Sequence, residues 1–554
     1  MRIERGIYIH YNWIFARFQS QTVRHLYRFE SAGQRISCMF CQEVFPALFL
    51  TRHKKTRYNK GRKILKCWER GSLFRKGSPF FIKQESEDRN LETTASPALG
   101  SRREKTAFYK RAFAITLPIA LQNFMDAAVG SADILMLSFV GQTALAASSL
   151  AGQVMFVFQM LLYGVSSGAS VLAAQYWGKK DTRTVERVMG LSLRVTLLIG
   201  AAFTLAAALV PQILMRIFTN DSDVIAQGIR YLRFVSPAYI LGGFASVYLS
   251  VMRSVERVKM SALVHCSAVV MNVVLNACFI FGFGPFPKLG IAGVALATSI
   301  TRLCEVLICL CDSRANLVIH LHIRDLFGKS GTLLRDFFRF AVPAAANDII
   351  WGLAFSVYSV ILGHLSSDIV AANSVASVVR NLGTVVCFGT ASAAAIILGK
   401  AMGDNRLAEA KAYASRFVRL AILTALAGGA VILACRPLVL RFMYLYVEVT
   451  DVVRTELSTM LYINSYYILG SSINTMLICG IFRAGGDVRF GLYMDIIAMW
   501  VYAVPVGLLA AFVLKLPEMW VYFILCLDEF VKMPVILVHY KKGAWLRNIT
   551  RDLT

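Results

Sequence analysis

Residues 144–174 read ALAASSLAGQVMFVFQMLLYGVSSGASVLAA, 31 positions without one Asp, Glu, Lys or Arg. As an α-helix rising 1.5 Å per residue the run is roughly 46 Å long, more than the roughly 30 Å hydrocarbon core of a bilayer. A water-facing helix of that length carries a charged face opposite its apolar stripe. This one is uncharged all round, as a helix in lipid is.

The same texture extends in both directions. Apolar runs and their polar breaks predict spans near 113–138, 144–174, 189–211, 230–252, 260–283, 290–312, 336–363, 370–400, 413–434, 457–482, 490–513 and 517–539. The expected fold is therefore an all-α polytopic membrane protein of about twelve transmembrane helices. Composition agrees, with 56% hydrophobic residues against roughly 45–50% in a soluble domain. Of the twelve cysteines, those such as Cys266, Cys278 and Cys387 lie within apolar runs, where a thiol reads as a small buried hydrophobe rather than half of a disulfide.

The net charge of +26 would suggest nucleic acid in a soluble protein, but its distribution points elsewhere. Residues 1–100 hold 19 Lys and Arg against 8 Asp and Glu, and the remaining excess sits mainly in the loops. Lys179-Lys180-Asp-Thr-Arg183, Arg253 to Lys259, Arg314 to Lys329, Lys400 to Lys411, Arg483 to Arg489 and Lys541-Lys542 all fall on one side of the predicted spans. The opposite loops, such as Gly141-Gln-Thr143 and Leu365-Ser-Ser-Asp368, are lean, with Arg436 and Arg441 as exceptions. Basic loops stay in the cytoplasm, so both termini are expected inside. Residues 1–105 form a basic extension with no spanning run, no apolar core followed by a cleavage site, and one isolated Cys38-Met-Phe-Cys41 pair. It is expected to be disordered, with no signal peptide and no structural metal.

Sliding the chain by 225 residues lays Pro118 on Pro343, Ala146-Ala147 on Ala371-Ala372, Gly164 on Gly389, Gly178 on Gly403 and Arg216 on Arg441 without a gap. One such match is worth little among small residues; the gapless series reads as a duplication. Six spans separate the copies, and an even number returns the chain to the same face. Two six-helix lobes related by a parallel internal repeat follow, an N-lobe at 106–325 and a C-lobe at 326–545, with 546–554 as a cytoplasmic tail. Two-lobed bundles of this kind work by alternating access.

At this point the sequence resembles the multidrug and toxic compound extrusion family over roughly residues 105–545. The residues that carry the likeness are Leu117-Pro118 and Asp133; Val140-Gly141 with Ala144-Leu-Ala-Ala147; Gln175-Tyr-Trp-Gly178-Lys-Lys-Asp181; Met271-Asn-Val-Val-Leu-Asn276; Leu289-Gly-Ile-Ala-Gly293 with Ala297-Thr298; and Phe482-Arg-Ala-Gly-Gly-Asp487. The resemblance implies a plasma-membrane antiporter that exports cationic or amphipathic small molecules in exchange for H⁺ or Na⁺. It implies no cofactor and no nucleic-acid partner, and a monomer among membrane lipids. No HExxH, Walker or GxSxG pattern argues for enzyme chemistry, and without an ATP-binding pattern the energy source is an ion gradient. A lipid or polysaccharide flippase of the same superfamily and a non-transporting receptor or scaffold are the alternatives.

A carboxylate inside a span costs roughly 2.5–3.5 kcal/mol on insertion scales and is a functional candidate for that reason. Asp133 is the first choice, and it resembles the family's first-span cation-binding aspartate. Burial disfavours an ionised carboxylate and a bound cation favours it, so one group can trade an ion for cargo. The alternative is an aspartate that faces a vestibule or caps a helix end. Asn272 and Asn276, four residues apart, share a helix face and offer amide oxygens, and Thr298 offers a hydroxyl. They read equally well as interhelical glue. Asn276 stands where some members of the family have a second acid, which removes one charge from the expected site. Asp126, Asn123 and Asp348 are secondary candidates, Asp348 falling 225 residues after Asn123. Lys532, one turn from Asp528, predicts a structural ion pair there. Met155, Phe156, Phe158 and Tyr163 read either as an adaptable cargo wall or as core and lipid-facing bulk.

Overall fold

The computed structural model describes residues 101–282, 286–315, 318–328, 331–446 and 450–552. The expected N-terminal extension lies almost wholly outside them. Among the described residues all regular structure is helical. The main helices are α1 (Arg102–Ser138), α2 (Gln142–Gly178), α3 (Thr182–Leu209), α4 (Ser222–Ser254), α5 (Val258–Phe281) and α6 (Ile291–Ala315) in the N-terminal half. The C-terminal half holds α7 (Gly331–Gly363), α8 (Ser367–Gly403), α9 (Leu407–Tyr446), α10 (Asp451–Phe482), α11 (Val488–Val513), α12 (Glu518–Leu525) and α13 (Asp528–Lys542). The last turns of α10 and much of α11 are π-helical.

Ten of these helices are long and apolar enough to cross a bilayer. α1 and the pair α12–α13 complete a count of twelve spans: α1 carries Asp126 and Asp133, and the last span is broken at Cys526-Leu527 and carries Asp528, Glu529 and Lys532. One compact unit comprises Ala98–Ala434 with Glu456–Thr554. Of the described residues outside it, Arg454 pairs with Asp451 (3.0 Å) and lies over the Tyr444 ring.

Ser101 opens α1, its Oγ accepting from the Glu104 amide at 3.1 Å, which satisfies one of the orphan donors of a helix start. In the N-terminal half α4 is the hub, packing on α2, α3, α5 and α6, while α1 lies against α5. Leu198, Leu205 and Leu209 of α3 are exposed, which is where lipid would touch the bundle. Lipid tails are as apolar as leucine, so close packing of small residues and polar contacts, rather than water exclusion, hold such helices together.

The duplication is written into the backbone. α2 and α8 are each 37 residues long and begin and end 225 residues apart. The turn after each contains a left-handed non-glycine residue at the equivalent position, Lys180 (φ 63°) and Asn405 (φ 56°). The contacts between the halves are reciprocal as well. Gly178 lies against the carbonyl of Lys400, and Gly403 against the carbonyl of Gln175. Gly164 faces Ala345, and Gly389 faces Ala120. A Cβ at 178 or 403 would run into a backbone oxygen, so only glycine lets α2 and α8 approach so closely there.

The basic-loop end of the bundle is tied by ion pairs. Glu256, in the left-handed corner between α4 and α5, takes Arg111 of α1 and Lys400 of α8, the latter at 2.9 Å. Burial alone would push its carboxyl up, but the adjoining guanidinium and ammonium hold it below the usual glutamate range. Arg257 grips Asp312 through two bonds of 2.9 and 3.0 Å. The C-terminal stretch is stitched to both halves. Fully buried Gln175 donates to the carbonyls of Ala484 (2.7 Å) and Arg547 (3.2 Å) and accepts from the Ile549 amide (2.8 Å). The Arg551 amide donates to Tyr176, and its guanidinium pairs with Asp336 of α7.

Candidate functional site

Asp133 lies in the last turns of α1, half-buried against α5. Asn272 and Asn276 are one turn apart on one face of α5, and Asn276 Nδ2 donates to Asp133 Oδ1 at 2.7 Å. The same amide reaches Asn272 Oδ1 at 3.2 Å. Asn272 Nδ2 in turn reaches Thr298 Oγ1 of α6 at 3.4 Å, and that hydroxyl donates back to the Val294 carbonyl. The four residues singled out in the sequence thus form one chain of hydrogen bonds across three helices. Asn272 and Asn276 are buried, and Asn276 Oδ1 has no hydrogen-bond partner among the described residues.

No cationic side chain pairs with Asp133 among the described residues. The hydrogen-bonded chain carries carboxylate, amide and hydroxyl oxygens, the ligand types that suit a hard cation. Tyr231 of α4 stands within electrostatic reach of Asp133 and is hydrogen-bonded to Ser148 of α2. Sequence reading missed that neighbour, because a lone tyrosine in an apolar helix carries no distinguishing pattern.

The secondary candidates lie elsewhere. Asp126 accepts from His265 of α5 at 2.8 Å. Asn123 is half-buried on α1 and joins neither group. Asp348 pairs with Arg483 of α10 at 3.1 Å, and Arg483 also reaches Ser167 of α2. Its neighbour Asn347 instead donates to Asp495 of α11 at 3.0 Å. Lys532 bonds Asp495 (2.7 Å) and Glu529 (3.2 Å) rather than Asp528, which accepts from the Tyr358 hydroxyl. One turn separates Asp528 from Lys532 along the helix, but the ammonium turns toward the acid of the neighbouring helix. Phe158 is core, packed on Phe203 and Tyr239. Phe156 and Tyr163 are exposed.

Glu186, His322 and Asp325 come close enough to hold an ion. Arg183 already occupies that corner, donating to Glu186 at 3.0 Å and to both oxygens of Asp325 at 2.8 Å. A guanidinium there is the counter-charge that a metal would have to displace.

A multi-span bundle of two repeated halves with a carboxylate sunk among amides is the architecture of a membrane transporter. The profile of the MatE family matches residues 118–278 and 343–509, more than half of the chain, and the protein belongs to that family of transporters. The two matched segments begin at Pro118 and Pro343, the first pair of the internal repeat. The chain is 24% identical to "Probable multidrug resistance protein YoeA" of Bacillus subtilis, over 77% of this chain and 92% of that protein. It is also 24% identical to "Probable multidrug resistance protein NorM" of Bradyrhizobium diazoefficiens, over 78% and 92%. Among solved structures it resembles one described as "Crystal structure of MATE in the straight conformation", with a TM-score of 0.71 at 20% identity, covering 78% of this chain and 95% of that one. The protein is thus a transporter and not an enzyme.

Proposed function

We propose that this transporter exports cationic or amphipathic small molecules in exchange for H⁺ or Na⁺, with Asp133 as the group that both occupy in turn. Alternating access moves two lobes, 106–325 and 326–545, between which the tight α2/α8 contact opens and closes. The basic-loop end and both termini face the cytoplasm, and the monomeric bundle sits in the plasma membrane. Residues 1–105 and 546–554 flank the working part of the chain.

The observation that carries the reading is the one-sided company of Asp133: it accepts from the Asn276 amide, which is chained through Asn272 to Thr298, and it has no basic partner among the described residues. A buried carboxylate without a cation is costly to keep ionised, so it binds one or takes a proton. Asn272, Asn276 and Thr298 fix its orientation and lend oxygens to a bound ion. The relatives named for multidrug resistance support drugs as cargo.

The test is efflux of a cationic dye, ethidium, from proteoliposomes on which a pH gradient or a Na⁺ gradient is imposed separately. One gradient is expected to drive wild-type efflux, and Asp133→Asn is expected to reduce it to the empty-vesicle rate. Full gradient-driven efflux by that variant would remove the basis of the proposal.

A further inference from the structure

Helices α1 and α5 run side by side in the same direction, and their contact face carries a ladder of polar pairs. Gln122 Nε2 reaches Ser261 Oγ at 3.5 Å, His265 Nε2 lies 2.8 Å from Asp126 Oδ1, and Asn276 Nδ2 donates to Asp133 Oδ1 at 2.7 Å. The residues advance by four and then seven on α1, as Gln122, Asp126 and Asp133 do, and by four and then eleven on α5, as Ser261, His265 and Asn276 do, eleven being four plus seven. Steps of four and seven keep side chains on one helix face. At the basic-loop end the series finishes with Arg111 and Glu256.

The middle rung differs from the others. His265 turns its second nitrogen to Glu305 of α6 at 3.5 Å, and Glu305 is fixed by Arg302 at 2.7 Å. The two acids are unequally placed: the Glu305 side chain is 1% exposed and that of Asp126 is 57% exposed. The buried, arginine-held carboxylate orients the ring, and the ring presents Nε2 to a carboxylate that protein packing leaves open. That is the construction of a proton-transfer pair, in which a fixed acid sets the imidazole and a free one exchanges protons with it.

We infer that Asp126 and His265 form the relay through which the proton released by Asp133 reaches the basic-loop end of the bundle. This rests on the reading of Asp133 as the coupling site and commits the coupling ion to H⁺. At rest one proton is shared between Asp126 Oδ1 and His265 Nε2, while Nδ1–H points at Glu305. The proton leaving the Asp133 carboxyl crosses by water, since seven residues of helix separate it from Asp126 by roughly 10 Å. It adds to Asp126 Oδ2, giving a carboxylic acid beside an imidazolium. While the shared proton sits on His265 Nε2, the Asp126 Oδ2–H bond breaks and gives its proton to a water on the basic-loop side; the shared-proton pair is restored, so one proton enters and one leaves.

The groups facing this rung are Glu305 and Arg302 of α6, Arg253 of α4, Tyr163 of α2 with Asp348 beyond it, and Cys266 on α5 itself. Two guanidinium groups so close make the doubly protonated pair short-lived. The rung therefore passes a proton on rather than holding it.

The full chain in proteoliposomes provides the test, with an internal pH-sensitive dye reporting proton entry during ethidium counterflow and ethidium fluorescence in detergent reporting binding. His265→Gln keeps a hydrogen-bonding side chain but cannot titrate. It is expected to slow proton entry by roughly tenfold or more and to flatten its pH profile, with ethidium affinity unchanged. Asp126→Asn, at the exposed side of the rung, is expected to do the same and covers the case of a misfolded His265 variant. Wild-type proton flux and pH profile in either folded variant, or counterflow driven by Na⁺ alone, would overturn the relay. If Asp133→Asn is inactive while His265→Gln and Asp126→Asn are unimpaired, the coupling site stands and the relay falls; if Asp133→Asn is itself active, both fall.

Discussion

Asp133 in the N-terminal half and Asp495 in the C-terminal half are both sunk in a helical bundle, and each accepts from an asparagine, Asn276 and Asn347 respectively. In both asparagines the amide oxygen is left without a partner among the described residues. The difference lies in the next neighbour. Asp495 also takes the Lys532 ammonium at 2.7 Å, and Lys532 takes Glu529, which Asn474 secures at 2.7 Å. Among the described residues Asp133 accepts only from the Asn276 amide. A duplicated backbone therefore carries two opposite electrostatic designs: a charge already answered and a charge left open. Closed pairs of this kind hold a bundle in register, whereas an open carboxylate is available to something that comes and goes.

The comparison is broken most directly by exchanging the two roles. Asp133→Asn is expected to abolish gradient-driven dye efflux with little change in thermal midpoint in detergent, since an amide replaces a carboxylate of the same shape. Asp495→Asn should do the reverse, and a pair of variants with identical phenotypes would end the distinction. Lys532→Met leaves Asp495 and Glu529 buried without their cation, which costs about 3–5 kcal/mol when one partner of a buried pair is removed. Adding Asp495→Asn should recover part of the lost midpoint, and no recovery would mean the two are not coupled. Gly403→Val forces a side chain onto the Gln175 carbonyl; overpacking of that kind costs about 1–3 kcal/mol. Its efflux rate should fall further than its stability.

Asn276→Asp gives the open site a second charge, and Na⁺ should then stimulate transport at concentrations where the wild type does not respond. The smallest effect concerns Glu256. Its carboxyl is held low in the folded protein, so its contribution is complete above the ordinary glutamate range of about 4.3 and is lost as pH falls through the lowered value. For a pair in partial contact with water this amounts to about 1 kcal/mol or less. Wild type and Glu256→Gln should differ by a constant midpoint from about pH 8 to about pH 5 and converge only in stronger acid.

Much of this was legible beforehand. The uncharged runs placed the spans, and the 225-residue offset relates helices α2 and α8 to the residue. The Asp133, Asn272, Asn276 and Thr298 chain was readable because Asn272 and Asn276 sit four apart on one apolar run and the family resemblance points to Asp133 and Thr298 beside them. What escaped were partners supplied by sequence-distant helices. Asp348 reads in the sequence as a secondary site candidate with no sign of Arg483, which crosses over to it, and Lys532 reads as the mate of Asp528, whereas α11 brings Asp495 nearer. His265 carries no signal of its own in an apolar run. Its signal is relational: His265 follows Ser261 by the same four residues that separate Asp126 from Gln122, and neither half of the pattern means anything alone.

The stitching of the C-terminal stretch to Gln175 and Tyr176 would give the proposed transport cycle a clock. A parting of α2 from α7 at the basic-loop end has to break either the amide bonds of Ile549 and Arg551 to α2 or the Arg551–Asp336 pair, and an amide freed from α2 takes up deuterium. Isotope uptake at those two positions, followed with and without an imposed gradient, should therefore count openings of that end in a transporter that carries no label at all.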